Sequence, residues 1–390
     1  MSFIGQSSRR QNSSARVLFY FGGFASVGGI ETFCRNLLSH LKFRGFDCVL
    51  VCWGKESSLL GKLALLGVKV IRSSLRWGCK WNFPDWLLLP IGIRQIQNAD
   101  IVLFGKLFPL RILEILKQNS SNSTQFVYIT PYKPEVPVPL LERQYLLKSL
   151  SLFDLILVQA SSFESNLQKI GYDGTISIIP YIPQQVGVLQ DFPYGSEFKI
   201  GFLGRLVEDK NLPLLLKAFR FFYDRYFCAV DQPNKAYSTA SLHIFGNGYL
   251  RQELEELTQQ LGLESLITFH GEIANDQVES AIASCHLFAF TSRSEGQCLA
   301  ALEILSCGRP VVATDVGAFS EILLSSCLGE VEKNADPEIF ADNLIKVMKR
   351  IVQSELSPDL VRSSYLERYD PDRVGDRYIE LLNALCLRNA

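Results

Sequence analysis

The 390-residue sequence predicts two doubly wound α/β domains that face each other across a cleft. Three observations carry that expectation. Short β-branched and aromatic runs alternate with helical patterns along the whole chain. The alternation stops once, at the Gly-, Pro- and polar-rich stretch Gln184–Glu197 (QQVGVLQDFPYGSE), and then restarts. The length suits two domains of ordinary size, and 47% hydrophobic residues are enough for two cores.

In the first half, Arg16–Phe21 (RVLFYF) reads as a strand that ends in Gly22-Gly23. A helical pattern follows from about Gly29 to Phe43, and Asp47–Cys52 is a second strand. Ile101–Phe104, Phe126–Thr130 and Leu155–Val158 are further strands, each followed by a helical stretch. Such near-continuous apolar runs belong to a parallel sheet covered on both faces. After the linker, Lys199–Leu203, Leu242–Phe245, Ile267–Phe269, Leu287–Phe290 and Pro310–Ala313 read as strands, with helices at Asn211–Phe222 and Tyr249–Leu261. Cys228–Ala240 reads as an irregular surface insertion. Asp370-Pro371 opens a last helix over Asp372–Leu387, because proline suits a first helical turn. The division is therefore a disordered tail at 1–14, domains at 15–190 and 191–370, and a terminal helix at 371–390 that returns to the first domain.

The formal net charge of −1 hides an asymmetry. Residues 1–190 carry 20 Lys and Arg against 11 Asp and Glu, and residues 191–390 carry 19 against 29. The basic half suits an anionic surface; alternatively the two halves attract each other across the cleft. The ten cysteines form no CxxC pair, which points to reduced thiols in a cytoplasmic protein. No apolar run reaches the roughly 18 residues of a membrane span, and the polar N-terminus (MSFIGQSSRRQNSSAR) lacks the apolar core of a secretory signal. Three of the four tryptophans, Trp77, Trp81 and Trp86, lie near Arg72, Arg76, Lys80 and Arg94. Aromatics beside cations suit peripheral docking on an anionic membrane, although core aromatics on an inserted loop would look the same. No nucleic-acid partner is expected.

Three stretches can carry chemistry. In Ser294–Val312 (SEGQCLAALEILSCGRPVV), a helix over Gln297–Cys307 follows a strand and a polar turn, and Gly308 and Pro310 end it. Glu295 then lies at the helix mouth, and Glu303 about two turns inside, roughly 10 Å along the axis. The N–H groups of Gln297, Cys298 and Leu299 make an anion site there, and a deep carboxylate can accept two vicinal hydroxyls. The alternative is an N-cap polar residue and a helix-surface glutamate. In Gly201–Phe219 (GFLGRLVEDKNLPLLLKAF), Arg205 and Lys210 flank a turn at a strand's carboxyl end, where they can clamp a diphosphate or simply be solvated. In Gly22–Phe33 (GGFASVGGIETF), two glycine pairs let backbone approach a ligand, with a spacing that is not G-x-G-x-x-G. The histidines, His40, His243, His270 and His286, read as isolated core or strand-edge residues, not metal ligands. Asp370-Pro371-Asp372 reads as a helix cap.

These pieces resemble the nucleotide-sugar glycosyltransferases of the GT-B fold, family GT4. Gly28-Gly29-Ile30-Glu31 matches the family's GGxE signature, and Gly204-Arg205 with Lys210 its diphosphate element. Leu242–Gly248 (LHIFGNG), Phe269–Glu272 (FHGE), the Glu295–Glu303 pair and Gly308–Val312 follow in the family's order. The resemblance implies two Rossmann-like domains and a retaining hexosyltransferase acting in polysaccharide or glycolipid assembly. It implies a UDP- or GDP-sugar donor, a glycan or lipid-linked acceptor, and no bound metal or cofactor. Arg205 and Lys210 would hold the leaving diphosphate, and Glu303 the ribose hydroxyls. Glu295, with the backbone of Gln297, Cys298 and Leu299, would contact donor sugar and phosphate, so that ligand hydroxyls are the partners of both glutamates. Gly29 would approach the phosphates from the other domain, and the backbone around Glu272 and Ile273 would meet the base. Two departures stand out. Gly296-Gln297-Cys298 replaces the usual Gly-Phe-Gly, and Tyr132 or Lys133 stands about where many members have a histidine. A noncatalytic scaffold of the same fold and a nucleotide-sugar 2-epimerase are the rival readings.

Overall fold

The structure, a computed structural model, describes residues 15–23, 29–53, 58–73, 89–131, 133, 136–183, 189–228 and 236–387. Trp77, Trp81, Trp86, Arg76 and Lys80, proposed above as a membrane edge, lie outside the described residues, as does Tyr132.

Seven parallel strands form the first sheet: β1 (Arg16–Gly23), β2 (Asp47–Trp53), β3 (Lys69–Ser73), β4 (Ile101–Phe104), β5 (Gln125–Ile129), β6 (Leu155–Val158) and β7 (Ile176–Ile178). Their spatial order is β3-β2-β1-β4-β5-β6-β7. The crossovers are α1 (Gly29–Phe43), α2 (Ser58–Leu65), α3 (Leu89–Ile96), α4 (Leu110–Gln118), α5 (Leu140–Leu150) and α6 (Ser161–Lys169). All four residues of β4 and of β6 are buried, as expected of strands covered on both faces.

A second parallel sheet has the order β10-β9-β8-β11-β12-β13. Its strands are β8 (Glu197–Leu203), β9 (Thr239–Phe245), β10 (Ile267–Gly271), β11 (Leu287–Phe290), β12 (Val311–Thr314) and β13 (Gly329–Glu332). The helices are α7 (Leu212–Tyr223), α8 (Arg251–Gln260), α9 (Val278–Ala283), α10 (Leu299–Ser306), α11 (Phe319–Ile322), α12 (Pro337–Val352), α13 (Pro358–Tyr369) and α14 (Pro371–Leu387). In each sheet the strand order reverses beside the first strand of its domain, between β1 and β4 and between β8 and β11. Such switch points open a crevice at the strands' carboxyl ends.

Three strands escape the sequence reading: β3, β7 and β13. Each lies at a sheet edge, where one side needs no apolar cover, so each is short and partly polar. The helix expected at Tyr249–Leu261 begins at Arg251.

The helix α14 packs on α1 and β4 of the first sheet. Arg377 donates to the Ile178 carbonyl at 2.7 Å, and Asp376 pairs with Arg44 and His40. Gly375 is required at this crossing, since a Cβ there would lie 2.4 Å from the His40 ring. Asp370 accepts the Arg373 N–H at 2.9 Å and so caps α14, the role expected of it.

Among the described residues Arg309 is the largest fully buried side chain. Its guanidinium donates to the carbonyls of Cys285 (2.8 Å), Gln190 (2.8 Å), Asp191 (2.7 Å) and Ala283 (3.2 Å). It thus ties the incoming linker to the second domain, and burial lowers its pKa.

Candidate functional site

The loops after β8 and β9 lie back to back. A Cβ on Gly246 would fall 1.8 Å from the Gly204 carbonyl oxygen, and one on Gly248 would fall 2.2 Å from that of Leu206. Only glycine allows this approach. The Leu206 N–H donates to the Asn247 carbonyl at 3.0 Å. This contact holds the loop that carries Arg205, whose side chain is exposed. Lys210 ends a single 3₁₀ turn, and Asn211 then takes a left-handed conformation (φ 48°) to start α7. The Thr291 hydroxyl donates to the Lys210 and Asn211 carbonyls, and the Arg293 N–H to Asp209, so the β8 and β11 loops form one unit.

Within this unit Glu295 is only 8% exposed. Its carboxylate pairs with the Lys210 ammonium and accepts the Ser292 hydroxyl at 2.8 Å. The expectation that ligand hydroxyls are its partners is thereby corrected: a buried carboxylate needs a partner before ligand arrives, and Lys210 and Ser292 supply it. Burial pushes the Lys210 pKa down. Its neighbours Cys298 and Glu295, with the hydrogen bond to Glu295, outweigh that and hold it above the ordinary lysine value.

The helix expected over Gln297–Cys307 instead runs from Leu299 to Ser306, and Cys298 precedes it at φ 42°, ψ 76°. Of the three N–H groups assigned to its mouth, only Leu299 belongs to the first turn. The helical donors there are Leu299 and Ala300, since the Ala301 N–H bonds the Cys298 carbonyl at 3.0 Å. The Gln297 side chain reaches the first domain through its amide oxygen. It is buried, and its Oε1 accepts the Tyr181 N–H at 2.5 Å from the end of the first domain. Tyr181 in turn stacks on Phe33 of α1 and donates to the Thr130 carbonyl at 2.9 Å.

A left-handed cysteine costs roughly 1–2 kcal/mol of backbone strain that glycine avoids, while a β-branched residue is worse. A Cys298→Gly variant should therefore exceed Cys298→Val by about 2 kcal/mol in urea unfolding. Equal stabilities would show that the position is not strained.

Glu303 lies one turn inside the observed helix, about 6 Å along it, not two. Its carboxylate makes no hydrogen bond among the described residues. Burial raises its pKa to about 7, partly offset by Arg35 of α1 across the cleft. Arg35 was not anticipated, although it lies one turn after Glu31 and so on the same helix face. Gly29 opens α1 opposite the second domain: a Cβ there would lie 3.8 Å from Leu299 Cδ1. Glu272 is exposed and Ile273 half-buried, just beyond the edge strand β10, where the Gly246 N–H bonds the Gly271 carbonyl at 2.7 Å. Lys133 is half-buried.

The histidines are not all isolated, as the sequence suggested. His243 Nδ1 and His270 Nε2 are 2.9 Å apart on neighbouring strands, and Ser241 bonds His243 Nε2. Burial, with His270 and Lys199 nearby, lowers the His243 pKa to about 4, so this pair is neutral at physiological pH.

The site thus gathers Arg205, Lys210, Glu295, the α10 N-terminus and Glu303 from the second domain, and Gly29 and Arg35 from the first. The family of glycosyl transferases group 1 matches residues 190–357. Those residues are similar to a group 1 glycosyl transferase domain. The D-inositol 3-phosphate glycosyltransferase of Corynebacterium urealyticum is 28% identical over 191 residues, 48% of this chain and 43% of that protein. The chain spans about half the length of the curated relatives it matches. Among solved structures, Anabaena HepE in complex with UDP superposes with a TM-score of 0.70 at 16% identity, covering 94% of this chain and 99% of that one. A glycosyltransferase from Rickettsia africae gives 0.74 at 15% identity, covering 97% and 100%. The fold is GT-B, with the stretch that matches the group 1 model in its second half and the first domain completing the cleft.

Proposed function

We propose that the chain is a retaining glycosyltransferase that moves a sugar from a UDP- or GDP-sugar to a glycan or lipid-linked acceptor. One observation carries the reading: two cations, a helix N-terminus and a half-buried carboxylate with no hydrogen bond among the described residues converge at the switch point of the second sheet. In the transfer, the bond from the sugar's anomeric carbon to the diphosphate oxygen breaks, the acceptor hydroxyl oxygen bonds that carbon, and its proton passes to the departing diphosphate oxygen. Charge then grows on the diphosphate. Lys210, Arg205 and the Leu299 and Ala300 N–H groups stabilise that charge without a metal ion. Glu295 holds Lys210 in place and offers its second oxygen to the donor sugar. Glu303 accepts the two ribose hydroxyls. The UDP complex of HepE, a protein of the same fold, supports a uridine donor.

The Glu303 assignment has a pH signature. A pKa raised to about 7 by burial means that Glu303 stabilises the fold fully below the ordinary carboxylate range. That contribution is lost as pH rises through about 7. Ribose binding has the opposite sign, because only the ionised carboxylate accepts both hydroxyls. UDP-glucose affinity, measured calorimetrically, should therefore fall as pH drops through about 7, and Glu303→Gln should remove that dependence. Glu303→Ala should weaken binding roughly 10- to 100-fold, the loss of charge-assisted hydrogen bonds. An unchanged dissociation constant in Glu303→Ala would refute the ribose assignment.

A further inference from the structure

Beside the cleft, where the chain passes between domains, lies a cavity of about 340 Å³ that includes none of the donor-site residues named above. Its walls come from both domains: the ends of β6 and β7 on one side, α11 and the α13–α14 junction on the other. Gln159, at the end of β6, lines it and is only 3% exposed. Its Oε1 accepts the Thr130 hydroxyl, but its Nε2 amide is buried with no hydrogen-bond partner. A buried donor without an acceptor is costly, and native folds keep one chiefly where something else completes it.

Three arginines face the same space. Arg368 donates to the Glu321 carbonyl at 2.7 Å, Arg373 to the Glu367 carbonyl at 2.8 Å and Arg377 to the Ile178 carbonyl at 2.7 Å. Each is thereby oriented through one nitrogen, and none has a carboxylate within 4 Å among the described residues. The Glu321 carboxylate cannot neutralise them freely, because one oxygen already accepts the Ser161 hydroxyl and the Ser162 N–H across the domain boundary. Arg373 also sits in the first turn of the 17-residue α14, at its positive end. Oriented guanidinium forks, a helix start and a spare amide donor together match a tetrahedral oxyanion.

We propose that this cavity binds a small phosphate-bearing anion, either inorganic phosphate or a sugar phosphomonoester, at a site separate from the donor cleft. Because both domains line it, the bound anion favours the interdomain arrangement in which the walls meet. The inference rests on the cavity and not on the transferase reading. The test is thermal unfolding of the full chain with inorganic phosphate or glucose 6-phosphate, with UDP present to fill the donor site. One or both anions should raise Tm with concentration. The Arg373→Gln/Arg377→Gln double variant should lose that rise, and so should Gln159→Met, which leaves the arginines in place. Both variants should keep their response to UDP, whereas Glu303→Ala should weaken the UDP response and keep the phosphate one. A rise with phosphate alone identifies a free-anion site, and a rise with the ester alone a sugar-phosphate site. No rise with either at about 10 mM overturns the proposal, as does a rise that survives in both variants. If UDP gives no shift at all, the phosphate arm is still read from those two variants.

Discussion

A Lys210→Ala variant should transfer sugar at least about 100-fold more slowly and unfold with roughly 3 kcal/mol less stability. Two separate effects combine. Lys210 is the cation paired with Glu295, so under the proposed function its removal takes a positive charge from the leaving diphosphate. It also leaves Glu295, 8% exposed, with Ser292 as its remaining partner. Breaking a largely buried pair costs more than the pair itself contributes, because one charge stays behind desolvated. A Lys210→Met/Glu295→Gln double variant separates the effects: it should recover most of the stability and none of the transfer rate. Urea unfolding and nucleotide release measure the two. A Lys210→Ala enzyme with wild-type turnover would exclude the diphosphate role.

An Arg309→Leu variant should lose about 4 kcal/mol or more and accumulate poorly as soluble protein. The fully buried guanidinium donates to four carbonyls: the buried one of Cys285 and the partly buried ones of Ala283, Gln190 and Asp191. Leucine fills the volume and satisfies none of them. Lysine should rescue little, since a single ammonium cannot reach carbonyls spread around a planar fork. Denaturant midpoints of the wild type, Arg309→Lys and Arg309→Leu decide this. A leucine variant within about 1 kcal/mol of wild type would mean that water or backbone movement satisfies those carbonyls instead.

Arg309 also shows how sequence and structure divide the information. The Gly-Arg-Pro break reads as a helix end followed by a strand, which is what the chain builds there. Its arginine instead organises contacts with residues 24 to 119 positions away, which no local pattern encodes. The same holds for the site. The central strands were readable because burial on both faces demands continuous apolar runs, whereas the edge strands β3, β7 and β13 carry no such demand. The order of loops along the chain placed Arg205, Lys210, Glu295 and Glu303 in one cleft. The Lys210–Glu295 pair, 85 residues apart in sequence, was not visible. Nor was the left-handed Cys298, because the residue that usually signals that conformation, glycine, is absent there. That single substitution shifted the expected start of α10 by two residues and misassigned its free N–H groups.

The presence of a nucleotide site is the central claim, and unfolding temperature in the presence of UDP, GDP or ADP, without added metal, tests it most directly. One of the three should raise Tm as its concentration increases, because a ligand that binds only the folded chain stabilises it by RT ln(1 + [L]/Kd), and Glu303→Ala should shift that rise to roughly 10- to 100-fold higher concentration. A wild-type chain whose Tm is indifferent to all three at about 1 mM would contradict the account and favour a scaffold that keeps the fold without the donor.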